Sequence, residues 1–519
     1  MTNQAKNPLF TSLDANGSGV LSKDNIYQCL TEAGIGKEDP RISGFLERLD
    51  NLAEQGVIDS DAFAELVSSG SSLFERAVRG ELVIPDFSRF LDELSDLFNA
   101  VRKNNDGEVA SYIPQLARVG TDQFAASVCT IDGQRQSLGD ADAMFSLQSS
   151  CKPMLYCAAL EEHGEKVVHS HVGREPSGLS FNELTLNKAG LPHNPMINAG
   201  AIMTSSLIRR DQSMADRLDH MSGLIAALSG QQSPNFNNAI FHSERDTADR
   251  NFALAHYMRE VGAFPDDTDI FNTLDYYFSA CSLEVSAKSM SVIAATLANG
   301  GVCPQTGERV FKEDTVKNCL SMMYSCGMYD YSGEFAFTVG VPAKSSVSGV
   351  IMAIIPNVMG IAVWSPRLDQ CGNSVRGVEF LQRLVGKFNF HNYDNLVESE
   401  KLDPRRNQKT RETNRTFSSI YAASIGDVNE MKRLVAHGHD LDSADYDGRT
   451  PLHLAAAEGQ LEAVIYLLDQ GVNTEPLDRW SSTPLDDAIR HKRDAVIELL
   501  TSQSQPEPKS DTSRTKKAA

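Results

Sequence analysis

The sequence lacks the features that mark several large classes of protein. None of its nine cysteines belongs to a Cys-x-x-Cys pair, so neither a disulfide framework nor a zinc ribbon is indicated. Basic residues are too few for a nucleic-acid or anionic-membrane partner, since 48 Lys and Arg stand against 69 Asp and Glu, a formal net charge of −21. The most apolar stretch, Val350–Val363, is interrupted by Pro356 and Gly360 and is too short to cross a bilayer.

The amino-terminal residues also lack a targeting signal. Met1–Phe10 shows neither the basic-then-apolar order of a secretory signal nor the arginine-rich composition of a transit peptide. We therefore expect a soluble cytoplasmic protein whose isolated cysteines behave as small buried hydrophobes. Hydrophobic residues make up 41% of the 519 residues, which excludes wholesale disorder. At roughly 150 residues per domain, this length predicts three or four folding units.

An internal repeat identifies the carboxy-terminal part. Thr450–Ala455 reads TPLHLA and Thr483–Ala488 reads TPLDDA, with the two threonines 33 positions apart. This period and the Thr-Pro-Leu-His signature are typical of ankyrin repeats, which are stacked helical pairs. We predict about three α-helical repeats over residues 417–501, which are expected to bind a protein partner. The polar residues before and after them predict a linker at 400–416 and a disordered tail at 502–519.

The amino-terminal hundred residues are predicted to be a helical, EF-hand-like domain. Apolar residues recur at helical spacing from Phe87 to Phe98. Asp14–Gly19 resembles the first half of an EF-hand loop, but the twelfth position, where a bidentate Glu is needed, is Asn25. The sequence therefore favours a structural turn over a calcium site, and we predict no metal.

Residues 104–390 mix strand and helix patterns. Ser127–Ile131 and Gln134–Ser137 flank Asp132-Gly133, a strong hairpin signal. Helices are predicted around Leu155–Leu160, Phe252–Met258 and Val292–Leu297, and strands at Phe335–Val339, Gly349–Ile355 and Gly360–Trp364, all by apolar periodicity. Strands on both sides of a helical middle predict an α+β domain, in which helices cover a sheet.

The chemistry of this domain is expected at one serine and one lysine. Ser149 and Lys152 are three positions apart, hence on one helical face, where a desolvated amine can act as the general base of a serine nucleophile. The spacing alone is weak, since Ser513 and Lys516 share it in the tail. The Lys-Ser-Ser segment at Lys344 approximates the Lys-Ser/Thr-Gly strand of Ser-x-x-Lys acyl enzymes. The order of elements then predicts a serine β-lactamase or penicillin-binding-like fold.

Six segments make the resemblance closer. Tyr112–Leu116, Ser149–Pro153, His193–Gly200, Ser243–Asn251, Leu297–Gly301 and Cys326–Tyr329 resemble those of serine-dependent glutaminases. The order of the three parts resembles animal kidney- and liver-type members. The resemblance implies hydrolysis of L-glutamine to L-glutamate and ammonia through a Ser/Lys-activated acyl-enzyme. Two alternatives stay open, namely another Ser-Lys amidase or esterase of the penicillin-interactive fold, and a non-enzymatic ankyrin scaffold.

The resemblance also assigns roles to individual residues. Ser149 is the implied nucleophile and Lys152 its base, while Tyr112 and Tyr329 are implied at the scissile amide, so the base in each step is open among Lys152, Tyr329 and Tyr112. The substrate is implied to contact a further set of residues: Asn198, Glu244, Asn251, Tyr277 and, through its backbone N–H, Val347. Because Glu244 and Asn251 are seven positions apart, we expect them on one face of a helix.

The resemblance further implies a homo-oligomer, which is a dimer, tetramer or filament, with no cofactor but phosphate as a conceivable activator. Three departures from the family pattern bear on function. Ser150 is a second hydroxyl beside Ser149, Ser346 stands where glycine is usual, and the gating loop Gly178–Pro192 differs in sequence. We expect Ser346 to narrow the pocket or to alter the flexibility of its loop.

Overall fold

A computed structural model of the protein describes residues 7–14, 16–53, 56–68, 72–178, 183–395, 401–406, 408–436 and 438–503. The predicted tail beyond residue 503 and residues 179–182 of the predicted gating loop lie outside these ranges. The chain divides into two compact units, Met1–Arg405 and Arg406–Ala519, and each is described by itself.

The first unit begins with a small helical domain. Asp14 accepts hydrogen bonds from the backbone amides of Ser18 and Gly19, both at 2.8 Å, so this carboxylate closes its own loop. Two short strands pair antiparallel, with Leu21 opposite Ile58. The elements are α1 Pro8–Leu13, β1 Val20–Ser22, α2 Lys23–Glu32, α3 Ser43–Leu52, β2 Val57–Asp59, α4 Ser60–Ser68 and α5 Ser72–Arg79.

The hydrophobic core of this domain extends from Leu9 to Leu82. The next helix, α6 Phe87–Val101, buries Phe90, Leu94 and Phe98 with the residues of the larger sheet. The helix predicted from the Phe87–Phe98 periodicity is therefore present. However, it packs on the larger sheet, so the amino-terminal domain predicted to end at residue 100 has a core that ends near residue 82.

The larger sheet of the described residues is antiparallel, in the order β4-β3-β10-β9-β8. Two of its interior strands, β9 and β10, are apolar throughout and buried on both faces, as the Gly349–Ile355 and Gly360–Trp364 patterns predict. The hairpin predicted at Asp132-Gly133 joins its first two strands. The strands are β3 Ala125–Thr130, β4 Arg135–Gly139, β8 Ala343–Ser345, β9 Val350–Ile355 and β10 Met359–Trp364.

A smaller sheet and a set of helices complete the first unit. Helix α14 lies so close to β10 that a Cβ atom at Gly360 would collide with the backbone of Ala294 and Ala295. The smaller sheet has the order β5-β7-β6, with β5 Met144–Ser146, β6 Asn235–Phe236 and β7 Leu283–Ser286. The helices are α7 Pro114–Ala117, α8 Lys152–Val168, α9 Asn198–Leu207, α10 Met214–Leu228, α11 Asn238–Asp246, α12 Asp249–Glu260, α13 Ile270–Cys281, α14 Ala287–Ala298, α15 Glu313–Cys326, α16 Ser332–Thr338 and α17 Val375–Lys387.

One predicted strand is wrong. Phe335–Val339 belongs to α16 and the residue that follows it. Phe335, Phe337 and Val339 alternate in sequence as on a strand, but Phe335 and Val339 also lie four positions apart, which is one helical turn. Those two residues are buried, whereas Phe337 is 82% exposed. Periodicity over so few residues does not distinguish the two structures.

The amino-terminal domain contacts the β3–β4 hairpin turn through hydrogen bonds and an ion pair. The Asp132 carboxylate accepts a hydrogen bond from the Val83 amide at 2.8 Å and forms an ion pair with Arg76 at 3.1 Å. Gln134 is fully buried, and its side-chain amide donates to the carbonyls of Ala33 and Ile84 at 2.9 Å each. These contacts tie the domain to the sheet through buried polar groups.

The described residues of the second unit form three helical pairs. The Thr450 and Thr483 side chains each form a capping box at a helix start, and Gly459 ends α20 in the left-handed conformation. The helices are α18 Gln408–Ile425, α19 Val428–Ala436, α20 Pro451–Glu458, α21 Leu461–Asp469, α22 Pro484–Arg490 and α23 Asp494–Gln503. The predicted repeats are present, but α18 begins inside the segment that was predicted to be a linker.

Candidate active site

The turn that carries Ser149, the candidate nucleophile, connects the smaller sheet to a long helix and is here called the nucleophile turn. From β5 the chain passes through a single 3-10 turn, Gln148–Cys151, and enters α8 at Lys152 with Pro153 in the first helical turn. Gln148 has φ +46°, a left-handed conformation that is strained for a non-glycine residue. This geometry places Ser149 one turn before Lys152.

The turn brings one of the two adjacent serines to the lysine. Lys152 Nζ donates a hydrogen bond to Ser149 Oγ at 2.6 Å. Ser150 Oγ instead donates to the carbonyl of Leu147, also at 2.6 Å. The three-residue offset therefore selects Ser149, because a helical turn superimposes positions three apart and not positions two apart.

Both lysines of the site are buried. Burial lowers the pKa of Lys152 below its ordinary value, against the opposing effect of Cys281, Cys151 and Glu244. Lys344 lies on β8, where its ammonium donates to the carbonyls of Ser345 and Gly327 at 2.7 and 3.2 Å. Burial, together with the charge of Lys152, lowers the pKa of Lys344 well below its ordinary value. The site therefore favours a neutral amine at Lys152.

Tyr329 also lies beside Ser149. Its backbone is left-handed at φ +53°, and its ring lies 4.6 Å from the Lys344 ammonium. Burial raises the pKa of the Tyr329 hydroxyl, although hydrogen bonds with Ser149 and with the Val347 backbone act in the opposite direction. Tyr329 is therefore a neutral phenol at physiological pH, held beside the serine oxygen and the turn that follows β8.

A second cluster surrounds Glu244. Tyr112 donates to the Glu244 carboxylate at 2.6 Å, and the Gln148 side chain is also close, with its Oε1 3.4 Å from the Tyr112 hydroxyl. Burial raises the pKa of Glu244. Hydrogen bonds with Tyr112 and Gln148 and the charge of Lys152 act in the opposite direction but do not cancel this effect. The ring of Tyr112 is 47% exposed, whereas its hydroxyl points inward to Glu244.

The remaining predicted residues form a hydrogen-bonded row. The Asn198 side chain donates to Asn251 at 3.2 Å and accepts from the Tyr277 hydroxyl at 3.4 Å. The Tyr277 ring in turn lies 5.6 Å from Lys152 Nζ. The row therefore lies next to the nucleophile turn. A cavity of about 510 Å³ lies beside Tyr329, and its wall also includes Ile197, the residue before Asn198.

The prediction that one helix carries both Glu244 and Asn251 is wrong. Glu244 lies near the end of α11 and Asn251 in the first turn of α12, with the chain broken between them at Thr247 and Ala248. Sequence analysis also missed Gln148, whose side chain contacts the Tyr112–Glu244 pair. The only signal for it was its position directly before the candidate nucleophile.

Comparison with known proteins identifies the family of the chain. A family model described as glutaminase matches residues 107–393, one described as ankyrin repeats in three copies matches 419–511, and one described as an EF-hand domain matches 5–85. The liver isoform of mitochondrial glutaminase from Mus musculus is 42% identical over 523 residues, which cover 96% of this chain and 87% of the relative. The chain belongs to the glutaminase family.

Other relatives match the glutaminase domain by itself. A glutaminase from Nostoc sp. is 43% identical over 321 residues, covering 62% of this chain and 95% of the relative. A solved structure described as Mglu in its glutamate form has a TM-score of 0.56 and 38% identity, covering 59% of this chain and 70% of that one. The glutaminase domain therefore has the predicted serine β-lactamase-like α+β fold, and the protein is an amidohydrolase that carries an EF-hand domain and ankyrin repeats.

Neither a metal site nor a membrane span is found in the ranges that the structure covers. Among these residues no group of three or more His, Cys, Asp and Glu side chains is arranged to hold a metal ion. No helix there is both long enough and apolar enough to cross a bilayer.

Proposed function

We propose that this glutaminase hydrolyses L-glutamine to L-glutamate and ammonia through an acyl-enzyme on Ser149. The observation that carries the proposal is the contact of 2.6 Å between Lys152 Nζ and Ser149 Oγ. Because burial lowers the pKa of Lys152, its neutral form can take the serine proton as the oxygen attacks the side-chain amide carbonyl. The backbone amides of Ser149 and Val347 are the proposed donors to the oxyanion that then forms.

Tyr329 suits the departure of ammonia. Its raised pKa keeps the phenol protonated, so that it can donate a proton to the leaving nitrogen, and Lys152 can return the proton that it took from Ser149 to the tyrosine. Water then attacks the acyl carbon, with its proton taken up by the same groups, and glutamate is released. Tyr112 is proposed to lie at the scissile amide, and its hydrogen bond to Glu244 is proposed to orient that carboxylate.

The second cluster supports recognition of a free amino acid. The Glu244 carboxylate provides a partner for the substrate ammonium group. Asn198, Asn251 and Tyr277 supply the amide and hydroxyl donors that a carboxylate requires. These groups distinguish glutamine from an ester or a β-lactam, and together with the family match they disfavour both the penicillin-interactive alternative and a purely scaffolding role.

Replacement of each serine tests the assignment of the nucleophile. Ser149→Ala is expected to reduce glutamate release by at least about 10³-fold while the protein stays folded, because the acyl group has no other attachment point. Ser150→Ala is the matched control and should retain most activity, since its hydroxyl bonds Leu147. A coupled glutamate-release assay measures both. The reverse order of effects would assign the nucleophile to Ser150.

Four further features of the enzyme are also proposed, namely its oligomeric state, its independence of cofactors, a protein partner for the ankyrin repeats and its location. We infer a homo-oligomer, which light scattering would test, and a cofactor-free reaction, with inorganic phosphate to be tried as an activator. The ankyrin repeats are of a kind that binds proteins, and their partner has to be sought by its binding to the repeat unit. The sequence favours a cytoplasmic location, whereas the mouse and rat relatives are named mitochondrial; imaging of the tagged protein decides between the two.

A further inference from the structure

The turn between β8 and β9 is connected to the nucleophile turn by one buried hydroxyl. Ser346 is fully buried, and its Oγ lies 2.9 Å from the carbonyl oxygen of Leu147. Leu147 precedes the strained residue Gln148, which in turn precedes Ser149. The two bonded residues are 199 positions apart in the chain, so the bond joins segments that meet only in the folded protein.

The direction of this hydrogen bond follows from its acceptor. A carbonyl oxygen can only accept, so Ser346 directs its single hydroxyl proton to Leu147. Ser348 Oγ lies 3.0 Å from Ser346 Oγ, and it must therefore be the donor in that pair. The bonds run from Ser348 through Ser346 to Leu147, and the bond to Leu147 does not depend on Ser348, because the Ser346 hydroxyl supplies its own proton.

The Leu147 end of this connection is itself held in place. The Leu147 carbonyl also accepts the amide and the hydroxyl of Ser150, at 2.9 and 2.6 Å, and the Leu147 amide donates to Leu283 at 2.7 Å. Ser346 therefore bonds to a part of the nucleophile turn that is fixed on both sides. Removal of the Ser346 hydroxyl would still leave the carbonyl with two donors from Ser150, so no buried acceptor would lose all its partners.

The other end of this connection is the turn between β8 and β9, in which Val347 follows Ser346 directly. The turn is closed by hydrogen bonds between Ser346 and the backbone of Gly349 and Val350, each at 2.9 Å. The Ser348 carbonyl accepts from the Trp364 indole, also at 2.9 Å. A turn this tightly closed moves as one body, so a bond at Ser346 sets the position of the Val347 amide.

We propose that Ser346 is a positioning residue that holds the Val347 amide at the separation from the Ser149 amide that the oxyanion requires. The inference rests on the proposed function, in which those two amides stabilise the oxyanion. Such donors act only within about 2.7–3.1 Å of the developing charge, so a small displacement of one turn against the other weakens the transition state. Substrate binding depends on Glu244 and the Asn198 row, to which Ser346 makes no hydrogen bond.

Steady-state kinetics of four proteins test the inference. Ser346→Ala is expected to lower kcat about tenfold and to change KM less than about twofold. The reason is that the weakened interaction, between the Val347 amide and the oxyanion, is made in the transition state. Ser346→Cys has a similar size and a weaker donor, so its kcat should fall between those of wild type and Ser346→Ala. Ser348→Ala is the matched control: it removes the neighbouring hydroxyl of the same turn and leaves the bond to Leu147, so kcat should stay within about twofold.

The outcomes separate this inference from the function on which it rests. Wild-type protein without glutamine turnover would reject the proposed function. An active wild type with unchanged kcat in Ser346→Ala, or an effect on KM instead of kcat, would overturn the inference alone. An equal loss in Ser348→Ala would also overturn it, since rigidity of the turn would then be the cause. The pH dependence of kcat should keep its midpoint in Ser346→Ala, and a shifted midpoint would show that Ser346 acts through Lys152. If Ser346→Ala does not fold, wild-type kcat in Ser346→Cys overturns the proposal.

Discussion

The nucleophile turn of this glutaminase and its proposed amino-acid pocket, which consists of Glu244, Asn251, Asn198 and Tyr277, are built in opposite ways. The turn places Ser149 against Lys152 within four consecutive residues, so that one helical turn determines their contact. The pocket gathers Glu244, Asn251, Asn198 and Tyr277 from four different helices. Spacing in sequence therefore carries information about the turn and almost none about the pocket.

The two regions also use charge differently. In the turn, burial acts to remove the charge of Lys152, because the reaction needs a neutral base. In the pocket, the Glu244 carboxylate is also buried, and burial raises its pKa, but hydrogen bonds and the nearby lysine favour its charged form. Mutations in the turn should therefore affect the chemical step, and mutations in the pocket should affect substrate binding.

The largest expected effect tests the chemistry of the turn. Lys152→Arg should lower kcat by about 10²- to 10⁴-fold, because a guanidinium keeps its proton and cannot serve as a base. In the wild type, activity should rise with pH through the depressed pKa of Lys152, since the neutral amine is the active form, and then reach a plateau. Initial rates from pH 6 to pH 10 measure this profile.

Lys166→Arg is the control for this change, because Lys166 is an exposed residue of the same helix, α8. It should have wild-type activity. A flat pH profile, or an active Lys152→Arg enzyme, would mean that Lys152 only positions Ser149, and Tyr329 would become the leading candidate for the base.

The next effect tests the pocket. Glu244→Gln should raise KM for glutamine by about 10- to 100-fold, with a smaller fall in kcat, because the neutral amide loses its attraction to the substrate ammonium group. Since the pKa of Glu244 is raised, wild-type KM should also increase as the pH falls through that pKa and the carboxylate is protonated. Asp246→Asn makes the same change of charge at an exposed site on α11 and should leave KM unaltered. A fall in kcat at constant KM would instead assign Glu244 to the chemical step.

The smallest expected effect on catalysis lies outside both regions. Asp132→Ala removes the carboxylate that bonds the Val83 amide and Arg76, so it should lower the free energy of unfolding by about 1–3 kcal/mol with little change in kcat. Asp142 is 83% exposed and pairs only with Lys288 among the residues described, so Asp142→Ala should change stability by less than about 0.5 kcal/mol. Thermal or urea unfolding measures both. Equal stability of the two variants would show that the contacts of Asp132 add nothing to the free energy of unfolding.

Local patterns predicted the parts of the fold that are themselves local. The 33-residue repeat, the Asp-Gly hairpin and the long apolar strands were all found as predicted, because each follows from turn chemistry or from burial along one element. The apolar spacing at Phe335–Val339 failed since two periods fit it equally well. The helix at Phe87–Phe98 was predicted correctly, but its partner was not, because packing against the sheet depends on residues far away in sequence.

The sequence by itself determined the helical offset of Ser149 and Lys152, the repeat module and the apolar strands, since these depend on interactions between near neighbours in the chain. Only the tertiary structure decided that Glu244 and Asn251 lie on separate helices, that Gln148 reaches the Tyr112–Glu244 pair, and that Ser346 bonds Leu147. The physical reason is that burial, which lowers the pKa of Lys152 and favours a hydrogen bond for a buried hydroxyl such as that of Ser346, comes from residues brought together by folding.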